Sequence, residues 1–158
     1  MESKYNDMVE LYNNLRNNIQ IQFLLNLPLK NSRIIVHNDG PDTKNNNIYY
    51  IAIGSSDTQT VKGWAIDSEK ESDFSYVIAK CADRYYLTEK VRRPDVVKAF
   101  KGEKNYEYCG YRVQIPTKSL EKSDVISFIC ISKDMCFRHE PVEFICKEVN
   151  INEIDIPP

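Results

Sequence analysis

The first apolar positions of the chain, Tyr5, Met8, Tyr12, Leu15 and Ile19, recur at alternating spacings of three and four residues. This is the a/d seam of an amphipathic helix over about two heptads, and Leu11 widens it. Ser3 can cap its start, and Asp7 lies near the positive end of the helix. The polar face carries Asn6, Asn13, Asn14, Asn17 and Asn18, which are mediocre helix formers. So short a helix does not hold by itself in water. The spacing therefore predicts a seam buried against protein, either the chain's own domain or a partner helix. Apolar residues continue from Ile19 to Leu29 but are broken by Gln20, Gln22, Asn26 and Pro28. That stretch is too short to cross a bilayer.

After Pro28 the period changes to short runs of β-branched and aromatic residues. They are Arg33 to His37, Ile48 to Ile53, Thr60 to Ile66, Tyr76 to Cys81, Tyr85 to Thr88, Tyr111 to Ile115, Val125 to Ser132 and Val142 to Lys147. Turn-forming clusters separate them: Asn38 to Asp42, Asn45 to Asn47, Gly54 to Asp57, Asp67-Ser68, Ala82-Asp83, Pro116-Thr117 and Lys133-Asp134. Short strands at regular intervals predict a mainly β sandwich or barrel of about seven strands. One short helix interrupts them at Pro94 to Phe100, with Pro94 at its first position and Lys101-Gly102 at its end. It is expected to cap an edge or end of the sandwich. The predicted organisation is an N-terminal helix in residues 1–30, a β-sandwich module in 31–147 and a tail or linker in 148–158.

The 158 residues make a one-domain length. Lys and Arg total 21 against 23 Asp and Glu, a net charge of -2 with the signs interspersed. That balance offers no general field for nucleic acid, so no nucleic-acid partner is expected. No secretory or transmembrane segment is visible, and a cytoplasmic location, peripheral to a membrane at most, is expected. The five cysteines, Cys81, Cys109, Cys130, Cys136 and Cys146, form no CxxC pair. Buried free thiols are the preferred reading, with a disulfide among the last three as the alternative for an exported protein. No metal and no cofactor are expected. Asp39, Asp42 and Asp57 are loop acids without EF-hand spacing.

His37 near Asp39 and His139 beside Glu140 are the only histidine contexts, and no nucleophile motif accompanies them. No catalytic residue is assigned, and the chain is expected not to be an enzyme. Candidate binding residues are Trp64, Arg92, Arg93, Tyr85, Tyr86 and Tyr111. Trp64, the single tryptophan, is either a sugar-stacking platform or, the preferred reading, a mostly buried anchor between two sheets. Arg92 and Arg93 either clamp an anion or brace the short helix locally, with Asp95 in its first turn. The tyrosine-rich strands favour a recognition surface, although strand alternation turns half of those rings inward.

Three motifs in order, Gly63-Trp64-Ala65-Ile66-Asp67, then Arg93-Pro94-Asp95-Val96, then Gly110-Tyr111-Arg112-Val113-Gln114-Ile115-Pro116, resemble a small bacterial accessory domain. That GWAxD/RPDV-type domain is attached to glycosyltransferases and other surface-polysaccharide biosynthesis proteins. The resemblance spans roughly Asn47 to Cys146. It implies an immunoglobulin-like antiparallel β-sandwich, with an N-terminal α-helix and one short helix here, and a non-catalytic module that binds carbohydrate or a polysaccharide-assembly protein. One departure is the turn Ala82-Asp83-Arg84, where the pattern has a short Asp-Gly or Asn-Gly hairpin. The alternative function is a structural or homo-oligomerising module that uses the N-terminal heptad helix.

Overall fold

The computed structural model describes residues 2–39, 48–53 and 57–150. The expected turns at Asn38 to Asp42 and Gly54 to Asp57, the loop at Asn45 to Asn47 and the tail lie wholly or partly outside them. A long helix, α1 (Glu2–Leu25), precedes β1 (Ile34–Asn38), β2 (Ile48–Ile53), β3 (Thr58–Asp67), β4 (Tyr76–Cys81), β5 (Arg84–Leu87) and β6 (Glu89–Val91). Then come α2 (Pro94–Ala99), a 3-10 turn (Lys104–Tyr106), β7 (Gly110–Pro116), α3 (Thr117–Glu121), β8 (Val125–Ile131) and β9 (Val142–Asn150). The strands form a mainly β two-sheet sandwich, as the sequence predicts. One sheet has the order β1-β3-β7-β6 and the other β2-β9-β8-β4-β5. All pairings are antiparallel except β2 with β9, which run parallel from Ile48 opposite Ile145 to Ile53 opposite Asn150. That pairing carries β9 beyond the expected limit at residue 147.

Strand alternation sorts the side chains. Val61 and Ala65 of β3, Tyr111 and Ile115 of β7, Val77 and Ala79 of β4, and Ile126 and Phe128 of β8 meet between the sheets. The outer faces of β4, β8 and the second half of β3 are apolar too. Ile78, Ile129 and Ile131 form a second cluster with Leu24 of α1 on the outside of the five-stranded sheet. Ile66 forms a third with Val96, Tyr106 and Cys109 on the outside of the four-stranded sheet, where Trp64, Val97 and Phe100 pack against it. So α2 covers a face of its sheet rather than an edge or end. Its expected boundaries hold, with Pro94 in the first turn and Gly102 donating to the Val97 carbonyl beyond its end. A second short helix, α3, stands where Pro116-Thr117 suggested only a turn. Five residues are too few to show a helical period.

The N-terminal helix extends past Ile19 to Leu25, and Ser3 lies inside its first turn rather than before it. Of the two expected partners for the seam, the chain's own domain and a partner helix, the chain's own domain does not cover it. Tyr5, Met8, Leu11, Tyr12, Leu15 and Ile19 are 58 to 70% exposed. The helix instead docks through Ile21 and Leu24, 3% and 0% exposed, and through Gln20, whose amide donates to the Tyr76 hydroxyl at 2.7 Å. At about 100° per residue, Ile21 and Leu24 project on the opposite side from the seam. The segment after α1 is then tied down. The Lys30 amide donates to the Arg138 carbonyl, the Arg138 amide to the Pro28 carbonyl, and the Arg138 guanidinium to the Leu27 carbonyl.

The β4–β5 connection is a two-residue hairpin, with Cys81 paired to Arg84. Ala82 and Asp83 have φ of 48° and 63°. Two successive left-handed residues are the type I′ geometry that Asn-Gly normally supplies. The hairpin of the resembled pattern is therefore kept with a residue, Ala82, that disfavours it. Replacing the pair by Asn-Gly (Ala82→Asn with Asp83→Gly) is expected to stabilise the protein by about 1 kcal/mol. A thermal melt checks this. A melting temperature at or below that of the native chain would refute the turn assignment.

Candidate functional site

The six candidate binding residues do not converge. Trp64 is half-buried on the outer face of the four-stranded sheet, so its expected place between the sheets is corrected. The reason is alternation. Val61 and Ala65 of β3 face inward, and Trp64 and Ile66 must face outward. There its ring stacks on His37 at 5.3 Å and meets the edge of Phe100 at 5.7 Å. It is the floor on which α2 lies. Tyr111 is 1% exposed, tilted against Phe128 between the sheets. Its hydroxyl donates to Asn38 and reaches the His37 carbonyl.

The arginines act locally. Arg93 donates to Asp39 at 2.7 Å and to Asp95 at 2.8 Å. It thereby joins the start of α2 to the end of β1. Its hydrogen bond holds the Asp95 carboxyl below the usual carboxylate value, and both acids raise the guanidinium's own pKa. Arg92 is exposed and pairs with Glu107 at 2.9 Å. Neither makes an open anion clamp.

The motif glycines and acid are structural in the same sense. A Cβ on Gly63 would lie 1.9 Å from the His37 carbonyl oxygen and 2.6 Å from the Tyr111 hydroxyl, so β1 and Tyr111 close on a position that only glycine fits. A Cβ on Gly110 would lie 2.6 Å from the Val91 carbonyl. Asp67, 3% exposed, accepts from the Ser32 hydroxyl at 2.8 Å and from the amides of Glu69 and Lys70 at 3.1 and 3.2 Å. It fixes the turn that leaves β3.

Among the described residues, two larger clefts bear on the candidate residues. One, of about 430 Å³, lies between β4 and the β6–β7 edge, with Tyr108, Met135, Lys90 and Lys133 in its lining. Its lysines are already engaged, because the buried Asp73 carboxylate binds Lys90 at 2.9 Å and Lys133 at 3.0 Å. The other, of about 570 Å³, lies between α1 and the β4–β5 hairpin. Asn14, Asn17, Asn18 and Gln22 line its helix side, and Asp83, Arg84, Tyr85 and Tyr86 its strand side. It alone gathers two of the candidate residues. The three asparagine amides make no hydrogen bond to the protein among the described residues, so they are available to a ligand. Tyr85 packs on the outer cluster, with the Lys80 Nζ over its ring at 5.5 Å from the centroid. Tyr86 packs on the inner core, and its hydroxyl is buried without a partner among the described residues. The asparagines were legible only as weak helix formers. Their shared face with the hairpin is a tertiary fact.

No nucleophile is poised. Burial pushes the Cys109 thiol up to about 11 and the Cys146 thiol up to about 12, and raises Cys81 and Cys130 as well. Such thiols stay protonated near neutrality and are poor nucleophiles. All five cysteines are free, and Cys136 is the exposed one. His139 is 2% exposed, with Nδ1 3.0 Å from the Lys30 carbonyl oxygen. His37 Nε2 is 4.0 Å from Asp39, but Asp39 is held by Arg93. Among the described residues no cluster of three metal-ligating side chains occurs, and no helix is long and apolar enough to cross a membrane.

No family model matches the chain, and no curated protein matches it. The accessory-domain resemblance rests on its three motifs.

Trp64→Ala tests the floor assignment. The ring is only partly buried, so the loss should fall below the ~3–5 kcal/mol of a fully buried aromatic, at about 2 kcal/mol. A thermal melt that does not move would contradict its role under α2.

Proposed function

We propose that the chain is a non-catalytic accessory binding module of carbohydrate or surface-polysaccharide biosynthesis, and that it holds its ligand in the cleft between α1 and the β4–β5 hairpin. The observation that carries this reading is the row of unengaged amides, Asn14, Asn17 and Asn18, facing Arg84 and Tyr85 across the cleft. A side-chain amide presents a donor and an acceptor together, which suits neighbouring hydroxyls on a sugar ring. A tyrosine ring supplies the apolar surface for the ring's C–H face. Raised thiol pKa values and histidines committed to packing or to carbonyls support a role without chemistry of its own. A second reading, a structural or oligomerising module, is favoured by the exposed apolar seam of α1.

A glycan array probed with the full chain tests the first reading, followed by calorimetry on any glycan that binds. The Asn14→Ala, Asn17→Ala double variant is expected to lose at least about tenfold in affinity while its melting temperature stays put, because exposed polar substitutions of this kind change stability little. Absence of any bound glycan, or a double variant that binds as well as the native chain, contradicts it.

A further inference from the structure

We infer that the outward face of α1 is an interface with a second copy of this chain, in which two α1 helices pair seam to seam. The inference rests on the association reading of α1 and names its occupant. Eight large apolar side chains of this helix are exposed: Tyr5, Met8, Val9, Leu11, Tyr12, Leu15, Ile19 and Phe23, at 41 to 70%. Written as a heptad with Tyr5 at a, they occupy only the a, d, e and g positions. The residues that dock on the sandwich, Ile21 and Leu24, occupy c and f. One helix therefore has two apolar faces, and its own domain uses the smaller one.

The size of the stripe fits a dimer. Its exposed apolar area is on the order of 800 Å² per chain, comparable with one partner's share of a standard interface. It exceeds the few hundred Å² that a monomer ordinarily leaves open. The helix also needs a partner for its own sake. Residues 4–19 are all exposed, and the asparagines on the polar face weaken the helix further.

The pattern selects a copy of itself. Spacing by three and four is the register of helix-to-helix packing, and a seam of that period is complementary to the same seam on a two-fold mate. Partner choice between unlike helices is normally written in charges at e and g. From Lys4 to Phe23 those positions hold Val9, Leu11, Asn18 and Phe23, with Lys4 and Arg16 as the charged flanks. The acid at such a position is Glu2, the first residue of α1, so the exposed stripe itself carries no alternating charge code for a different chain. In a parallel pair the g-to-e neighbours are Lys4 with Val9, Leu11 with Arg16 and Asn18 with Phe23, so no like charges meet. Asn14 and Asn17, at c and f, lie away from the seam, so pairing leaves that part of each cleft open, while Asn18 and Gln22, at g and d, border the paired face.

Light scattering on the full chain over a dilution series from about 200 to about 2 μM tests the inference. The expected mass is twice 18.4 kDa at the upper end, falling toward 18.4 kDa on dilution. Leu15→Glu should weaken pairing at least a hundredfold. It should leave the β circular dichroism of the dilute protein unchanged, since Leu15 is 58% exposed and belongs to none of the core clusters. Asn13→Glu, on the polar face, should pair like the native chain. A native chain that stays monomeric throughout overturns both the inference and the association reading. If it is also captured by vesicles of anionic lipid and Leu15→Glu is not, the stripe is a membrane-surface element instead. A native dimer that Leu15→Glu leaves intact overturns the inference alone, because association then uses a different surface.

Discussion

β4, β8 and the second half of β3 are apolar on both faces, and most of what lies outside the sheets follows from covering those outer patches. In β8 six of seven residues are buried, because Ile126, Phe128 and Cys130 face the inner core while Ile129 and Ile131 face out. In β3 the inner face is Val61 and Ala65 and the outer face is Trp64 and Ile66. A sheet with a wet outer face would alternate apolar and polar residues. β7, β9 and the first half of β3 do so, but β8 and the second half of β3 do not, so each sheet needs a lid over that part. Leu24 and its neighbours supply one, and α2 with the 3-10 turn supplies the other. Arg93, held between Asp39 and Asp95, and Asp67, holding the turn after β3, keep the second lid in register with its sheet.

Much of this was legible in the sequence. Short apolar runs bounded by turn residues located every strand of the sandwich except β6, which at three residues is too short to show alternation. Pro94 and Lys101-Gly102 bracketed α2. Three things were not legible. The parallel pairing of β2 with β9 joins segments nearly a hundred residues apart and leaves no local mark. The face on which Trp64 lies depends on strand phase, and a large aromatic beside small residues fits either face. The docking of α1 depends on Ile21 and Leu24, which fall outside the heptad seam and so looked like an interruption of it.

The same split governs the candidate site. The residues of the three motifs are spent on the frame: Gly63 and Gly110 at close backbone approaches, Trp64 beneath α2, Tyr111 in the core, Arg93 between two acids. The residues free to meet a ligand are asparagines whose sequence signal was only their poor helix propensity. On the proposed function, the polar cleft and the apolar stripe that borders it would give α1 two outward tasks. A paired helix would present two clefts to a repetitive ligand, which raises avidity without any new contact.

The central claim is that α1 is held to its sandwich by its last two turns alone and that the rest of it is held by a second copy. Hydrogen–deuterium exchange at two protein concentrations measures this segment by segment. Amides from Ile21 to Leu25 should exchange slowly and identically at both concentrations, like those of β8. Amides from Tyr5 to Ile19 should exchange much more slowly in the concentrated sample than in the dilute one. Protection of the whole helix that does not change with concentration would contradict the account.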